Sequence, residues 1–125
     1  MMQLKEVLAI HKILIEEFGG TDGIRDPDGL DAAIKRPFAT FDGQELYPTP
    51  VAKAAAILES IVKNHPFLDG NKRTGYTLMR LLLLENGQDI EAPEDEKYEF
   101  IIRIATGALD FEEILQWIEK KLIMD

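Results

Sequence analysis

Residues 64–74 read NHPFLDGNKRT, a stretch that places a histidine, a carboxylate, a glycine, an amide and two cations in a loop entering a helix. The apolar run over residues 74–86, stopped by Gly87, predicts that helix. We expect Asn71 to be its N-cap. Residues 65–86 are therefore predicted to form a loop and a helix whose first turn is unusually polar.

The two cations in this first turn are the most informative detail. Lys72 and Arg73 lie where the helix dipole is positive, an arrangement that costs about 0.3–1 kcal/mol per exposed charge. An anion bound by the free backbone N–H groups of the first turn would reverse this penalty. Each residue alone fits an ordinary helix connection, but the combination with His65 favours a phosphate site.

The neighbouring residues extend this prediction. Gly70 permits a positive φ or a close approach of the backbone to a ligand. Asp69 can bind a magnesium ion that also touches phosphates, and His65 can accept a proton near neutral pH. Pro66 predicts an extended backbone at His65, and Phe67 is expected to anchor the loop in the core.

Residues 65–73 resemble the signature of the Fic/Doc family, His-Pro-Phe-x-Asp/Glu-Gly-Asn-Gly/Lys-Arg, at every position. A second stretch, GIRDP at residues 23–27 followed by Leu30, Ala33 and Ile34, resembles the opening region of the Doc (death-on-curing) branch. The resemblance therefore extends over most of the chain.

The resemblance implies an all-α fold, a compact Fic-type bundle of about six helices formed by residues 1–125 as a single domain. It also implies a flap over about residues 36–49 that aligns the target polypeptide beside the active site. By itself, this segment with its Asp42-Gly43 pair predicts either a small hairpin or an irregular surface loop.

The resemblance also implies roles for the signature residues. His65 would be the general base that takes a proton from a target hydroxyl, and Asp69 would coordinate Mg²⁺. Pro66 and Phe67 would be structural supports. The residues expected to bind the phosphates of ATP are Gly70, Asn71, Lys72 and Arg73.

Lys72 bears on the type of reaction. Family members that transfer AMP from ATP usually have glycine here, whereas the Doc branch has lysine and presents the γ-phosphate. We therefore expect a protein Ser/Thr kinase, with protein adenylylation as the alternative. Pro66 and Gly70 support that alternative, because Doc-type motifs often relax these two positions and this chain keeps both.

Regulation and partners also follow from the resemblance. Many Fic proteins silence themselves with a Ser/Thr-x-x-x-Glu-Gly/Asn helix, but here Leu81 precedes Glu85-Asn86 where Ser or Thr should stand. We therefore expect a toxin restrained by a small antitoxin in trans. Its protein substrate would be a translation factor, with elongation factor Tu the leading candidate by analogy.

The composition limits the other function classes. The formal net charge of −9 disfavours a nucleic-acid-binding role, including that of a helical transcription regulator. No cysteine and no long apolar segment are present, so we expect a cytoplasmic protein without a membrane span. A nucleotide-binding module without catalysis is a further alternative, which the intact His65 and Asp69 argue against.

Apolar spacing predicts the remaining helices. They are expected over residues 4–18, from Pro27 to before Pro37, from Pro50 to Val62, over 94–105, and from Phe111 to Leu122. Residues 88–93 are expected to be a connector. His11 lies on or near an apolar stripe and is predicted to be a packed or partly exposed histidine rather than a ligand.

Overall fold

Six α-helices make up most of the structure, a computed structural model that describes residues 2–124. The helices are α1 (Leu4–Phe18), α2 (Pro27–Lys35), α3 (Pro50–Asn64), α4 (Asn71–Leu84), α5 (Glu94–Ala105) and α6 (Phe111–Lys121). The strands are β1 (Thr40–Phe41), β2 (Gln44–Glu45), β3 (Gln88–Ile90) and β4 (Leu122–Met124). They form only two antiparallel pairs, so the predicted all-α bundle of six helices is confirmed.

Three helices begin at side-chain caps. The side chains of Asp26, Thr49 and Asp110 each accept a hydrogen bond from the backbone N–H three residues further along the chain. Glu113 returns a bond to the Asp110 backbone and completes a capping box. The helix starts predicted at these positions are therefore correct.

Three predicted boundaries are wrong. The N-cap of α4 is Gly70 rather than Asn71, whose side chain is engaged elsewhere. Helix α4 ends at Leu84, before the turn in which Gly87 takes a φ of 70°. Leu122 has extended backbone angles and belongs to β4 rather than to α6, because it pairs with β3.

Helix α3 forms the centre of the core. Its side chains are buried on nearly every face, which explains its alanine-rich and aliphatic sequence. Helix α4 packs closely against it at Gly75, where an added Cβ would lie 2.7 Å from Val62 Cγ2. This close crossing holds α4, the helix that follows the signature, against the buried helix α3.

The connector after α4 contains a strand that was not predicted. Residues 88–90 pair antiparallel with residues 122–124, which brings the two ends of the second half of the chain together. Arg80 donates two hydrogen bonds to Asp89, at 2.9 and 2.6 Å. This contact lowers the pKa of the Asp89 carboxyl and raises the pKa of Arg80. Arg80 therefore has a structural partner and lies outside the signature.

The flap is a small hairpin of β1 and β2. Of the two predicted alternatives, a hairpin or an irregular loop, the hairpin is confirmed. Asp42 and Gly43 take positive φ values of 53° and 76°, which suit a tight turn between two strands. Lys53 of α3 binds the flap through the Glu45 carboxylate and the Tyr47 carbonyl. The tip remains exposed, since none of these contacts reaches the turn.

Across residues 2–124, no helix is both long and apolar enough to cross a membrane.

Candidate active site

The signature residues surround one open cavity of about 380 Å³ at the start of α4. His65, Asp69, Lys72 and Arg73 line it together, and all four side chains are exposed. Arg25, from the segment before α2, lines the same cavity. Residues that the sequence placed on one loop thus share one concave surface with an arginine far away in sequence.

His65 lies at the C-terminus of α3 in the left-handed conformation, with φ 51° and ψ 59°. The prediction that Pro66 confines it to extended backbone is therefore wrong. The His65 amide continues the helical bonding to Ile61 O at 3.3 Å, so the chain leaves the helix in an αL cap. Residues before proline prefer the extended region, and this conformation needs support from surrounding structure.

Arg25 provides contacts of that kind. Its Nε donates to the His65 carbonyl and its Nη2 to the Asn64 carbonyl, both at 2.6 Å. The backbone amides of Arg25 and Asp26 both donate to the Pro66 carbonyl, at 2.8 and 3.0 Å. Sequence reasoning missed this role, although the GIRDP stretch was the available signal.

The loop over residues 65–70, which we call the signature loop, is held from below by its own Phe67 and by Asn71, the first residue of α4. The Asn71 side chain accepts from Phe67 N and donates to Phe67 O, both at 3.0 Å. Phe67 is fully buried, in agreement with its predicted anchoring role. The side chain of Asn71 therefore holds the loop in place. Only the backbone N–H of Asn71, in the first turn of α4, is left to face a bound anion.

His11 of α1 holds the other end of the signature loop. Its ring stacks on Phe67 with centroids 3.8 Å apart, and its Nε2 lies 2.8 Å from the Asp69 carbonyl. Because that carbonyl only accepts, Nε2 must be the donor. Nδ1 lies 3.6 Å from the Asp22 carboxylate. The predicted packing role of His11 is correct, but its hydrogen bond to the loop was not foreseen.

Gly70 takes the left-handed conformation predicted as possible for it, with φ 76°. An added Cβ would lie 3.1 Å from Ile15 Cδ1, so both the positive φ and this close approach disfavour larger residues here. Helix α4 has no side-chain N-cap bond. Its first-turn N–H groups are therefore left for water or an anion.

The two cations of the first turn have no carboxylate partner within residues 2–124. Lys72 is exposed, and the guanidinium of Arg73 instead rests 4.4 Å from the ring centroid of Phe18. Phe18 is itself 55% exposed. In a protein of net charge −9, the cavity thus has the cations Arg25, Lys72 and Arg73 beside the single Asp69 carboxylate.

Asp69 is the one signature carboxylate at the cavity, and its Oδ2 accepts from the Thr21 amide at 3.0 Å. No group of three or more His, Asp or Glu side chains able to hold a metal occurs in the described chain. Magnesium typically binds one or two carboxylates together with substrate phosphates and water. The single, oriented carboxylate fits that mode.

A second groove of about 360 Å³ adjoins the first, sharing Lys72 and Arg73. Its remaining walls come from α4 and α5 and include the aromatic rings of Tyr76 and Tyr98 beside Ile101. The two concave surfaces therefore meet at the cationic first turn of α4.

Comparison with known proteins identifies the family of this chain. The sequence model of the Fic/DOC family matches residues 2–83, which include the signature loop and most of α4. The chain belongs to the Fic/DOC family.

Two curated relatives are similar over most of their length. "Toxin Doc" of Mycolicibacterium smegmatis is 39% identical over 99 residues, which cover 78% of this chain and 76% of the relative. "Protein kinase doc" of Escherichia phage P1 is 28% identical over 117 residues, covering 93% of this chain and 90% of the relative.

Proposed function

We propose that this chain is a Doc-like toxin of a toxin–antitoxin system that transfers the γ-phosphate of ATP to a Ser or Thr hydroxyl of a target protein. The observation that carries the proposal is the shared cavity of His65, Asp69, Lys72 and Arg73 at an uncapped helix N-terminus. The names of both relatives agree with it, since one is a toxin and the other a protein kinase.

The reaction needs a base, an electrophile and a stabilised leaving group. His65 takes the proton from the target hydroxyl, and the hydroxyl oxygen attacks the γ-phosphorus. The bond from that phosphorus to the bridging oxygen breaks, and the electron pair leaves with ADP. Lys72, Arg73 and the first-turn amides of α4 bind and neutralise the phosphate oxygens.

Asp69 is the residue that would hold the magnesium ion of the nucleotide. The ion supplies positive charge at the phosphate oxygens when it is bound. The Thr21 amide restricts the Asp69 carboxylate, so its orientation is set before the nucleotide arrives.

Lys72 favours phosphate transfer over AMP transfer. Its ammonium group adds bulk and charge at the helix N-terminus, where AMP-transferring members of the resembled family have glycine. The exposed position of Lys72 at the cavity suits a contact with a terminal phosphate.

Adenylylation is the second candidate, and one observation favours it. The adjoining groove with Tyr76 and Tyr98 begins at the same cations and offers aromatic surface to a nucleoside. A nucleotide whose base occupied that groove would place its α-phosphate near the first turn of α4. AMP transfer to a hydroxyl would then be the expected reaction.

An antitoxin acting in trans is part of the proposal. The chain has no self-inhibiting Ser/Thr-x-x-x-Glu-Gly/Asn sequence, and its strongly acidic charge would attract a basic partner. The expected target is a translation factor, with elongation factor Tu first to be tested.

Transfer to purified elongation factor Tu and to a bacterial extract, with Mg²⁺ and γ-labelled ATP, tests the proposal. Wild-type protein should label a protein band, and His65→Ala should lose this activity while its affinity for ATP changes little. Loss of a general base typically costs about 10²- to 10⁴-fold in rate. Equal labelling by His65→Ala would refute the role of His65 as the base.

A further inference from the structure

His65 has a strained backbone conformation, because it is a non-glycine residue with positive φ directly before a proline. Asp42 and His65 are the two non-glycine residues with positive φ in the described chain, and only His65 precedes a proline. A non-glycine residue in the left-handed region is strained, and it persists only where the surrounding structure enforces the conformation. The conformation also decides where the imidazole points, since φ and ψ set the direction of the Cα–Cβ bond.

Arg25 makes hydrogen bonds that can stabilise this conformation. Its planar guanidinium reaches two consecutive carbonyls, those of Asn64 and His65, at 2.6 Å each. The last carbonyls of a helix lack intrahelical partners and lie at the negative end of the dipole, so a cation is favoured there. Arg25 is exposed and lines the same cavity as His65, so it acts at the site itself.

Hydrogen bonds hold the backbone both before and after His65. The Arg25 side chain fixes the carbonyls before Pro66, and the Arg25 and Asp26 amides fix the Pro66 carbonyl after His65. Leu68 N donates to Gly23 O at 3.0 Å, which continues the same attachment. Loss of the guanidinium alone would leave these backbone bonds in place, so the loop would stay attached while His65 became free to relax.

We propose that Arg25 is a positioning residue of the phosphotransfer reaction, which holds His65 in its left-handed conformation by binding the Asn64 and His65 carbonyls. This inference rests on the proposed function, because the group being positioned is the general base. Lysine should replace arginine poorly here, since its ammonium is a compact charge on a flexible stem and lacks the rigid planar fork.

Steady-state transfer kinetics and NMR of Arg25→Ala, Arg25→Lys and wild type test the proposal. Arg103→Ala serves as the matched control, because Arg103 is an exposed arginine of α5 away from the cavity. We expect kcat to fall on the order of 100-fold in Arg25→Ala, with the KM for ATP unchanged, as for a slightly misplaced reacting group. Added methylguanidinium should restore part of the kcat in Arg25→Ala, and Arg103→Ala should match wild type.

Backbone chemical shifts give a readout that does not depend on activity. The shifts of His65 should report left-handed backbone in wild type and Arg103→Ala, and a shift toward extended backbone in Arg25→Ala. Left-handed shifts in Arg25→Ala, or a raised KM with unchanged kcat, would overturn the proposal. If wild type transfers no label, the proposed function fails, and the His65 shifts still decide whether Arg25 holds this conformation.

Discussion

At the scale of single residues, the signature divides into a side that faces solvent and a side that faces the core. His65, Asp69 and Lys72 are exposed at the cavity, whereas Phe67 and Asn71 are buried beneath it. The buried side chains hold the loop, and the exposed ones are available for chemistry. Substitutions on the two sides should therefore have different effects on stability and on activity.

Asn71→Ala should lower stability more than substitutions on the exposed side. It removes both side-chain hydrogen bonds to Phe67 and leaves a buried N–H and carbonyl without partners, which costs about 1–3 kcal/mol. Urea unfolding followed by circular dichroism measures the effect. Lys72→Ala is the control and should unfold like wild type; equal midpoints for both variants would contradict the bracing role of Asn71.

His11→Phe should keep the stacking on Phe67 and lose the hydrogen bond to the Asp69 carbonyl. We expect a loss of about 1 kcal/mol in unfolding free energy, the usual contribution of one hydrogen bond. Because the bond lies next to the predicted magnesium ligand, the Mg²⁺ concentration that half-saturates activity should also rise. Unchanged stability and unchanged Mg²⁺ dependence would show that His11 only packs.

At the scale of helices and strands, α3 and α4 flank the signature loop and cross closely at Gly75. Gly75→Ala should destabilise the fold by about 1–3 kcal/mol, since the new methyl group would lie 2.7 Å from Val62 Cγ2. Urea unfolding measures the loss. In a Val62→Ala background the same change should cost much less, because the conflicting methyl group is absent. An equal loss of unfolding free energy in both backgrounds would show that the contact with Val62 is not the cause.

The attachment of β3 to α4 should depend on pH through Asp89. Arg80 lowers the pKa of Asp89 in the folded chain, so the ion pair adds stability above the unfolded pKa of about 3.9. That stability should disappear as the pH falls through the lower, folded pKa. The difference in unfolding free energy between wild type and Asp89→Asn should therefore be larger at pH 7 than at pH 3. A difference that is independent of pH would contradict the contribution of the charge.

The pair of strands β3 and β4 shows what local sequence could not predict. Residues 88–90 carry no strong strand signal, and their pairing with residues 122–124 depends on a partner more than thirty positions away. The same distance explains why Leu122 was placed in α6. The starts of α3 and α6, by contrast, depend on the neighbouring capping residues Thr49 and Asp110, and these starts were predicted correctly.

At the scale of the whole molecule, the site is assembled by contacts between distant parts of the chain. The signature predicted the cavity residues because they are contiguous, and the chemistry of each side chain was readable from its type. The supports were not readable, since His11 and Arg25 lie about forty to sixty positions from the groups they contact. The left-handed conformation of His65, beside the Arg25 contacts, overrides the local preference imposed by Pro66.

The central claim is that the cavity presents the γ-phosphate of ATP to a protein hydroxyl. Parallel incubations with α-labelled and γ-labelled ATP, each with the purified protein, Mg²⁺ and a bacterial extract, test it most directly. We expect a protein band that is labelled only from the γ-position and is absent with His65→Ala. A band labelled from the α-position would contradict it, and would show that Lys72 does not set the direction in which the nucleotide binds.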